Sequence, residues 1–463
     1  MTTATPLAVH LDRSGDQALP VQLARQIRAL VADGSIRPGQ RLPSSRALAR
    51  ELQVARAVVE AAFDQLLAEG WVVSRQGAGT FVQDVGSRAR RGDVARTTPD
   101  AVAAEGHELI SFDTGTPYVD PRLKSGWRRA WREMSMAEPP RGYPEPTGIP
   151  ELRELLATYV GHRRGVTCSP EEVLVTAGTT HGLGLVLSTL RPGAVAVEDP
   201  GYRAAVEISQ ASGFDVVDVP VDDEGLDVRT LAVSRRRDIR AVYVTPAHQH
   251  PTGVTLSASR RLALVAEARR RGSLIVEDDY DSEFRYDVAP LPALASLSRE
   301  VVYLGTAAKS VHPALRIGWL VGPAELVAAI AQQRAVRRDH PSWPVQRAFL
   351  AMLRDGHVDR LIRSARRVYA ARSEAVSRRL AAYGPVQGSG AGMYVTVTLA
   401  EEAARRVSAA ARKAGFDVPV LSLYARTHRR HGLVLGFGGV TDDELDRCLD
   451  VVESTLSRTQ AMA

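Results

Sequence analysis

The first eighty residues place apolar side chains at a helical period. From residue 20 to residue 33 they recur three or four positions apart, which predicts a helix. After a turn that contains Gly and Pro, a second helix is predicted over 44–52 and a third over 55–69. Two short apolar runs, 71–74 and 80–82, then predict strands on either side of a glycine-containing turn. The pattern therefore predicts a helix-turn-helix followed by a small β-wing.

From about residue 109 the pattern changes, and helical periods alternate with short apolar runs that predict strands. One of the predicted helices covers residues 256–271. Such alternation predicts an α/β fold with a mainly parallel sheet, whose ligand lies at the carboxyl ends of the strands. The predicted strands are 173–176, 194–197, 214–219, 241–245, 274–277, 301–304 and 317–321.

Between the two patterns, residues 84–106 are rich in small residues and arginine and have no sustained apolar period. This segment predicts a flexible linker, so the expected domains are residues 1–83 and 107–463. The segment includes Arg88, Arg90 and Arg91, which can be merely solvated or can attract phosphate without sequence preference. We favour the solvated interpretation.

Composition narrows the class of protein only slightly. A charged fraction of 24% is ordinary for a globular protein, and a net charge of +6 permits nucleic-acid binding without arguing for it. The two cysteines lie far apart, which favours a reduced cytoplasmic protein without a metal site. Neither a signal peptide nor a membrane segment is predicted from the sequence.

Lysine usage singles out one position. Only three of the 59 basic residues are lysines, and one of them, Lys309, follows the predicted strand 301–304. A guanidinium keeps its proton in water, whereas a desolvated lysine amine can lose one and condense with an aldehyde. Thr306 precedes Lys309 by three residues and Arg316 follows it by seven. The hypothesis is a Schiff base between Lys309 and pyridoxal 5'-phosphate (PLP); the alternative is a solvated loop lysine.

Further polar groups follow the other predicted strands. Gly178, Thr179 and Thr180 follow the first strand and open a helix, where backbone N–H groups and hydroxyls can hold a phosphate. Tyr202 can cover a flat ring or simply pack against a proline turn. His250, in the turn HQHPTG, can orient a ring oxygen.

The run EDDYDSEFRY, residues 277–286, is very acidic and comes directly after an apolar strand. A carboxylate there can pair with a protonated pyridine nitrogen. A metal site or a solvated acidic loop is the alternative, although the run contains no His or Cys, which disfavours a transition metal. We predict no metal.

The segments LPSSRALA, QLLAEGW and RQGAGTFV resemble the winged helix-turn-helix of the GntR superfamily over residues 20–82. The resemblance implies double-stranded DNA as a partner, through phosphate and base-edge contacts. The alternative is a three-helix module that binds protein. Ala55, Ala57 and Val58 depart from the family, which commonly has polar residues there. The implied DNA-binding residues are Ser45, Arg46, Arg56, Gln76 and Gly77, with Arg75 added for its charge beside the wing.

The order of the later motifs resembles fold-type I PLP enzymes of the aspartate aminotransferase type, with a smaller C-terminal α+β subdomain. Together with the winged domain, TPAHQHPTG and EDDYDSEFRY resemble the MocR subfamily of GntR regulators. The resemblance makes Lys309 the Schiff-base lysine and Asp278 the partner of the pyridine nitrogen, although Asp279 stays open. The other implied cofactor residues are Tyr280 at the phenolic oxygen, Tyr202 over the ring, Gly178, Thr179, Thr180, Thr306 and Arg316 at the phosphate, and Tyr143 reaching the phosphate from the neighbouring subunit of a homodimer. His250 stays a cofactor-binding candidate from its polar turn.

Two departures concern activity. His250 stands where aminotransferases usually have asparagine, and Val434 stands where an arginine usually grips the substrate carboxylate. Arg203, Arg426, Arg429 or Arg430 can substitute, but none is aligned. We therefore expect little or no physiological transamination. Three interpretations stay open: a PLP-dependent regulator that senses an amino compound, a regulator that senses PLP itself and so vitamin B6 supply, and an active aminotransferase with a DNA-binding module.

Overall fold

The structure is a computed structural model that describes residues 7–14, 17–75, 78–83, 109–286, 291–427 and 430–461. The chain divides into two compact units, Met1–Glu105 and Gly106–Ala463. The predicted linker, residues 84–106, lies outside the described residues.

The N-terminal unit contains three helices and one antiparallel strand pair. The helices are α1 (Leu19–Ala32), α2 (Ser45–Glu51) and α3 (Arg56–Ala68), and the strands are β1 (Val72–Arg75) and β2 (Gly79–Val82). The Ser44 hydroxyl accepts the Ala47 N–H at 3.2 Å and so caps α2. Leu23, Ile27 and Leu66 are fully buried in a common core. The predicted helix-turn-helix with a β-wing is confirmed.

The C-terminal unit has an eight-stranded sheet and a separate three-stranded sheet. Its strands are β3 (Ile110–Ser111), β4 (Val173–Thr176), β5 (Ala194–Asp199), β6 (Asp215–Asp222), β7 (Gly225–Leu226), β8 (Ile239–Val244), β9 (Leu274–Asp279), β10 (Val301–Thr306), β11 (Gly318–Val321), β12 (Val386–Gln387), β13 (Tyr394–Thr398), β14 (Phe416–Asp417) and β15 (Gly432–Gly436). Its helices are α4 (Lys124–Met136), α5 (Pro150–Arg164), α6 (Thr179–Leu187), α7 (Arg203–Ala211), α8 (Val228–Val233), α9 (Ala258–Arg271), α10 (Ala324–Arg337), α11 (Trp343–Arg354), α12 (His357–Leu380), α13 (Glu401–Lys413) and α14 (Asp442–Ala461).

The large sheet has the strand order β4-β11-β10-β9-β8-β5-β6-β7. Strands β10, β9, β8, β5 and β6 pair in parallel, whereas β11 runs antiparallel to both of its neighbours. Most of these strands are fully buried, as expected for a sheet covered on both faces by helices. All seven predicted strands belong to this sheet, so the predicted α/β fold is confirmed.

The smaller C-terminal subdomain is built on the antiparallel sheet β12-β13-β15. Strand β14 pairs in parallel with β3, and the Gly436 N–H donates to the Phe112 carbonyl at 2.9 Å. These contacts hold residues 113–116, which follow β3, at the end of the large sheet where β4, β5, β8, β9 and β10 finish.

No described helix is both long and apolar enough to cross a membrane. Among the described residues, no three His, Cys, Asp or Glu side chains cluster closely enough to hold a metal ion.

Candidate cofactor pocket and nucleic-acid interface

One pocket opens at the carboxyl ends of the parallel strands. Every residue predicted to contact the cofactor lines this pocket except Tyr143. Its lining comprises Thr114, Gly115, Gly178, Thr179, Thr180, Tyr202, Tyr243, His250, Asp278, Tyr280, Thr306, Ala308, Lys309, Pro313 and Arg316. The sheet topology brings most of these residues together, because parallel strands of the large sheet end at the same edge.

Lys309 lies just beyond β10, and its Nζ donates to the Gly115 carbonyl at 2.6 Å. Burial lowers the pKa of this amine, and the carboxylates of Asp113, Asp281 and Asp278 counter only part of that effect. A lowered pKa enlarges the neutral fraction of the amine, which is the form that attacks an aldehyde. The side chain is half-buried in a pocket, unlike a freely solvated loop lysine.

Asp278 faces the pocket from the end of β9 and is only 3% exposed. Its Oδ2 accepts the Tyr243 hydroxyl at 2.5 Å, whereas Oδ1 is buried with no hydrogen-bond partner among the described residues. Burial raises the pKa of this carboxyl to about 7, and the Tyr243 bond offsets only part of that. A buried acceptor without a donor is costly, so this oxygen suits a ligand that brings a cationic N–H.

Asp279, the other candidate for that role, does not line the pocket. Successive side chains of a strand point to opposite faces, and Asp279 accordingly forms an ion pair with Arg164 at 2.5 Å. The Tyr303 hydroxyl donates to the same Asp279 oxygen at 2.7 Å. Of the two carboxylates that the sequence left open, only Asp278 lines the pocket, and its role toward a pyridine nitrogen stays a prediction.

An anion site lies at the start of α6. Gly178 precedes this helix with φ of 112°, and a Cβ there would lie 3.7 Å from Arg316 Nη1 and 3.8 Å from Thr306 Oγ1. In the described part of the chain the Arg316 guanidinium forms no ion pair. Thr179 and Thr180 open the helix, whose first N–H groups and positive dipole end favour an anion. One guanidinium, several hydroxyls and a helix terminus therefore converge as a phosphate requires.

Two aromatic groups and one imidazole form another wall. The rings of Tyr202 and His250 meet edge to face with centroids 5.4 Å apart. His250 Nε2 lies 2.9 Å from Thr114 Oγ1, and burial, assisted by Lys309, lowers its pKa to about 3. The imidazole is therefore neutral at ordinary pH. The Tyr280 hydroxyl donates to the His248 carbonyl at 2.9 Å and lies 2.8 Å from the Tyr394 hydroxyl.

Tyr143 lies outside the pocket of its own chain. It is 73% exposed, its ring stacks on His340 with centroids 5.2 Å apart, and the Arg338 guanidinium lies 5.6 Å from its ring centroid. The expectation that Tyr143 reaches the site of a neighbouring subunit stays a prediction.

Val434 stands where aminotransferases usually have the arginine that binds the substrate carboxylate, and it offers no polar group. Val434 lies in β15, fully buried with Tyr394 and Leu421. Arg203 lies 3.9 Å from Glu207, and Arg426 pairs with Asp218 at 3.2 Å. Arg430 lies 4.0 Å from Asp223, and Arg429 lies outside the described residues. Among the described residues, Arg316 is the only arginine that lines the pocket.

Five lining residues were not predicted from the sequence: Thr114, Gly115, Tyr243, Ala308 and Pro313. Tyr243 carries a weak signal, since it is the one aromatic side chain in the predicted strand 241–245. Thr114 and Gly115 carry none, because they come from a segment far from the other motifs along the chain.

The predicted DNA-binding residues lie on the N-terminal unit. Arg46 is exposed on α2 and forms no ion pair within the described part of the chain. Arg56 opens α3 and pairs with Glu60 at 2.7 Å, and the Ser45 hydroxyl lies 3.4 Å from the same Glu60 oxygen. The Arg75 guanidinium lies 4.8 Å from the Phe81 ring centroid. Gln76 and Gly77 lie outside the described residues.

One further arginine lies beside the wing and was not predicted. Arg41 approaches Gly79 so closely that a Cβ on that glycine would be 2.9 Å from Arg41 Nε. In the sequence, only the positive charge of Arg41 could have marked it as a candidate for contact with DNA.

Each of the two units matches a family of known proteins. Residues 19–82 match the family of bacterial regulatory proteins of the gntR type, and residues 108–451 match the class I and II aminotransferases. The HTH-type pyridoxine biosynthesis transcriptional regulator PdxR of Corynebacterium glutamicum is 34% identical over 97% of this chain and 99% of its own. The probable rhizopine catabolism regulatory protein MocR of Rhizobium meliloti is 32% identical over 93% of this chain and 92% of its own.

Among solved structures, the kynurenine aminotransferase of Pyrococcus horikoshii matches with a TM-score of 0.68 at 25% identity. The match covers 77% of this chain and 92% of that enzyme, so the C-terminal unit has the fold of a complete aminotransferase. A gntR-type domain is therefore followed by an aminotransferase-like domain in this chain, and the similarity to the two regulators extends over nearly its whole length. The chain belongs to the MocR-type GntR transcriptional regulators, which join a winged helix-turn-helix to an aminotransferase-like domain.

Proposed function

We propose that this regulator binds PLP in the pocket around Lys309 and that PLP is the signal to which its DNA binding responds. The observation that carries the proposal is the convergence of three groups: a half-buried lysine amine, the Asp278 Oδ1 atom and the Arg316 guanidinium at a helix terminus. They match the aldehyde, the pyridine nitrogen and the phosphate of PLP, so the residues fit the group. Within the described ranges of the chain, Asp278 Oδ1 has no hydrogen-bond partner and the guanidinium forms no ion pair.

In this arrangement each side chain has a limited task. Arg316, Thr306 and the first turn of α6 bind the phosphate, and Asp278 holds a proton on the ring nitrogen. Tyr202 covers the ring, and Tyr280 and His250 orient the ring oxygen. PLP supplies an aldehyde for the Lys309 amine and an electron-withdrawing ring. Because Val434 stands, buried, where an arginine usually binds the substrate carboxylate, that contact is missing, which supports sensing of PLP over turnover of amino acids.

The N-terminal unit would carry out the DNA binding that responds to PLP. Arg46, Arg56 and Arg75 would contact phosphates or guanine edges in double-stranded DNA, with Gln76 and Gly77 at the wing. PLP alters DNA affinity only if it binds two arrangements of the protein differently. The PdxR relative is named for pyridoxine biosynthesis, so genes of vitamin B6 metabolism are the first regulatory targets to test. A bacterial regulator of this kind acts on DNA in the cytoplasm.

The absorption spectrum of the purified protein tests cofactor binding. Wild type with added PLP should gain a band at the visible edge that Lys309→Ala lacks. Gel-shift titration on the promoter upstream of the protein's own gene, with and without PLP, tests the output. A wild-type protein without the band would refute the cofactor assignment, and equal DNA affinity in both titrations would refute the sensing role.

An active aminotransferase is the second candidate function, because Lys309 and Asp278 are the groups that transamination itself requires. Incubation with amino acids and a keto acid distinguishes the two candidates. Formation of the corresponding new keto acid at ordinary enzymatic rates would favour the enzyme, whereas a bound but unproductive cofactor would favour the regulator.

A further inference from the structure

A buried histidine–aspartate pair lies directly behind the pocket wall. His248 Nδ1 lies 2.8 Å from Asp281 Oδ2, and each side chain is only 1% exposed. His248 belongs to the turn after β8, and Asp281 follows β9. Because a carboxylate has no proton to donate, Nδ1 must carry the hydrogen of this bond. His248 Nε2 is buried with no partner among the described residues. Neither side chain lines the pocket, so the cofactor roles assigned above leave the pair unused.

The space for this imidazole is made by three glycines with positive φ. They are Gly253, with φ of 76°, Gly388, with φ of 81°, and Gly392, with φ of 72°. A Cβ on Gly253 would lie 3.1 Å from His248 Nε2, and one on Gly392 would collide with both His248 and Asp281. Gly388 and Gly392 belong to the connection between β12 and β13. The pair therefore joins the turn beneath the pocket to the C-terminal subdomain.

The pair also fixes the partners of the Tyr280 hydroxyl. His248 Nδ1 lies 3.4 Å from the Tyr280 oxygen, but its hydrogen is committed to Asp281, so Nδ1 cannot accept from the tyrosine. The same residue supplies the carbonyl that accepts from Tyr280 at 2.9 Å. Tyr394, whose ring centroid lies 4.8 Å from that of His248, contacts the Tyr280 hydroxyl and donates to the Gln249 carbonyl at 3.1 Å.

We propose that His248 is a positioning residue: through Asp281 it holds the Tyr280 oxygen at the pocket, where the hydroxyl hydrogen can turn from the His248 carbonyl to an anionic oxygen of a ring bound there. The inference rests on the proposed function, since it needs PLP as that ring. The titratable groups that face the imidazole are Asp281, Tyr280 and Tyr394, with His250 close enough to interact electrostatically. Without the His248 side chain, the Asp281 carboxylate can accept a hydrogen bond from the Tyr280 hydroxyl. That bond would move the hydroxyl away from the ring oxygen.

This change has a readout that does not depend on turnover. When PLP is bound to Lys309, the titrating group would be the nitrogen atom that joins the lysine to the cofactor. A hydrogen bond donated to the ring oxygen favours the unprotonated form of this nitrogen. Loss of the donor should therefore move the pH midpoint of the visible band upward. The expected movement for His248→Ala is about one pH unit, the size of one hydrogen bond to a charged group.

The decisive experiment is a pH titration of the visible band in full-length wild type, His248→Ala and His248→Asn, each with saturating PLP. The Asn amide nitrogen occupies the place of Nδ1 and can still donate to Asp281, so this variant should titrate within about 0.3 units of wild type. His357→Gln is the matched control, since His357 is buried at the start of α12 and does not line the pocket. It should titrate as wild type does.

The outcomes separate the two proposals. Absence of the band in wild type refutes the proposed function. A wild-type band with an unchanged midpoint in His248→Ala refutes the positioning role alone. Equal shifts in His248→Ala and His248→Asn also refute it, because mere disturbance of the core would then be the cause. If His248→Ala does not fold, Asp281→Ala removes the other partner and must move the midpoint upward, whereas mere loss of a carboxylate that raises the pKa of Lys309 would move it downward. An unmoved or lowered midpoint overturns the proposal.

Discussion

At the scale of single residues, Asp278 is the most informative side chain of the pocket. Burial raises its pKa to about 7 in the folded chain, whereas the unfolded value is that of an ordinary carboxyl. Between these two values the folded chain binds the extra proton, so stability falls as the pH rises. A carboxylate that destabilises the protein without a ligand is the expected counterpart of a cationic ring nitrogen.

Asp278→Asn should therefore stabilise the PLP-free protein by an amount that grows as the pH rises. The amide keeps the shape and does not titrate, so the difference in free energy of unfolding should widen by up to about 1.4 kcal/mol per pH unit between pH 5 and pH 7. Urea unfolding of both proteins without PLP measures this. A difference independent of pH would contradict the raised pKa. In a titration with PLP, the variant should bind the cofactor more weakly than wild type.

At the scale of elements, Arg164 links the end of α5 to β9 from the face opposite the pocket. It is 1% exposed and pairs with Asp279, which also accepts from Tyr303 of β10. Breaking a buried ion pair by removing one partner leaves an uncompensated charge. Strand β9, which carries Asp278, and strand β10, which precedes Lys309, therefore depend on this contact for their local packing.

Arg164→Met should destabilise the protein by about 3–5 kcal/mol because it strands the Asp279 carboxylate in the core. Arg163→Met is a close control, since Arg163 pairs with Asp359 at 2.5 Å but both side chains are more than one third exposed. Its cost should stay below about 1 kcal/mol. Denaturant unfolding of both variants provides the comparison, and equal losses would show that burial does not govern the effect.

The same elements explain how far the sequence could predict the site. Apolar runs locate the buried strands, and a parallel sheet gathers whatever follows them, so Gly178, Tyr202, His250 and Lys309 could be assigned together. The partner of Lys309 could not, because Gly115 is held near it by contacts of β3 and the adjoining Phe112 with β14 and β15, which the sequence does not reveal. Tyr243 was missed for a related reason: its bond to Asp278 crosses between neighbouring strands, and sequence gives no register. The His248–Asp281 pair likewise needs the β12–β13 connection to complete its surroundings.

At the scale of the whole molecule, the two units should be separable by mutation. Arg46→Ala should weaken DNA binding about equally across sequences and reduce the salt dependence by roughly one phosphate contact, yet leave the visible PLP band intact. Lys309→Ala should do the reverse, since it removes the band and the response to PLP but keeps DNA binding without PLP. Gel shifts at several salt concentrations, paired with spectra, measure both. Loss of the band in Arg46→Ala would contradict independent folding of the units.

Whether the site is shared between two copies can be tested with variants that are each defective. If Tyr143 completes the phosphate site of a partner, a dimer of one Tyr143→Ala chain and one Lys309→Ala chain contains one intact site, built from the lysine of the first chain and the tyrosine of the second. PLP affinity should then recover in about a quarter of all sites after random mixing, because about half of the dimers are mixed and each has one intact site in two. Spectroscopic titration of the mixture against each variant alone measures this, with sedimentation to establish the dimer. The exposed position of Tyr143, stacked on His340, is what a residue donated to another subunit requires. A mixture that behaves as the sum of its components would place Tyr143 outside the site.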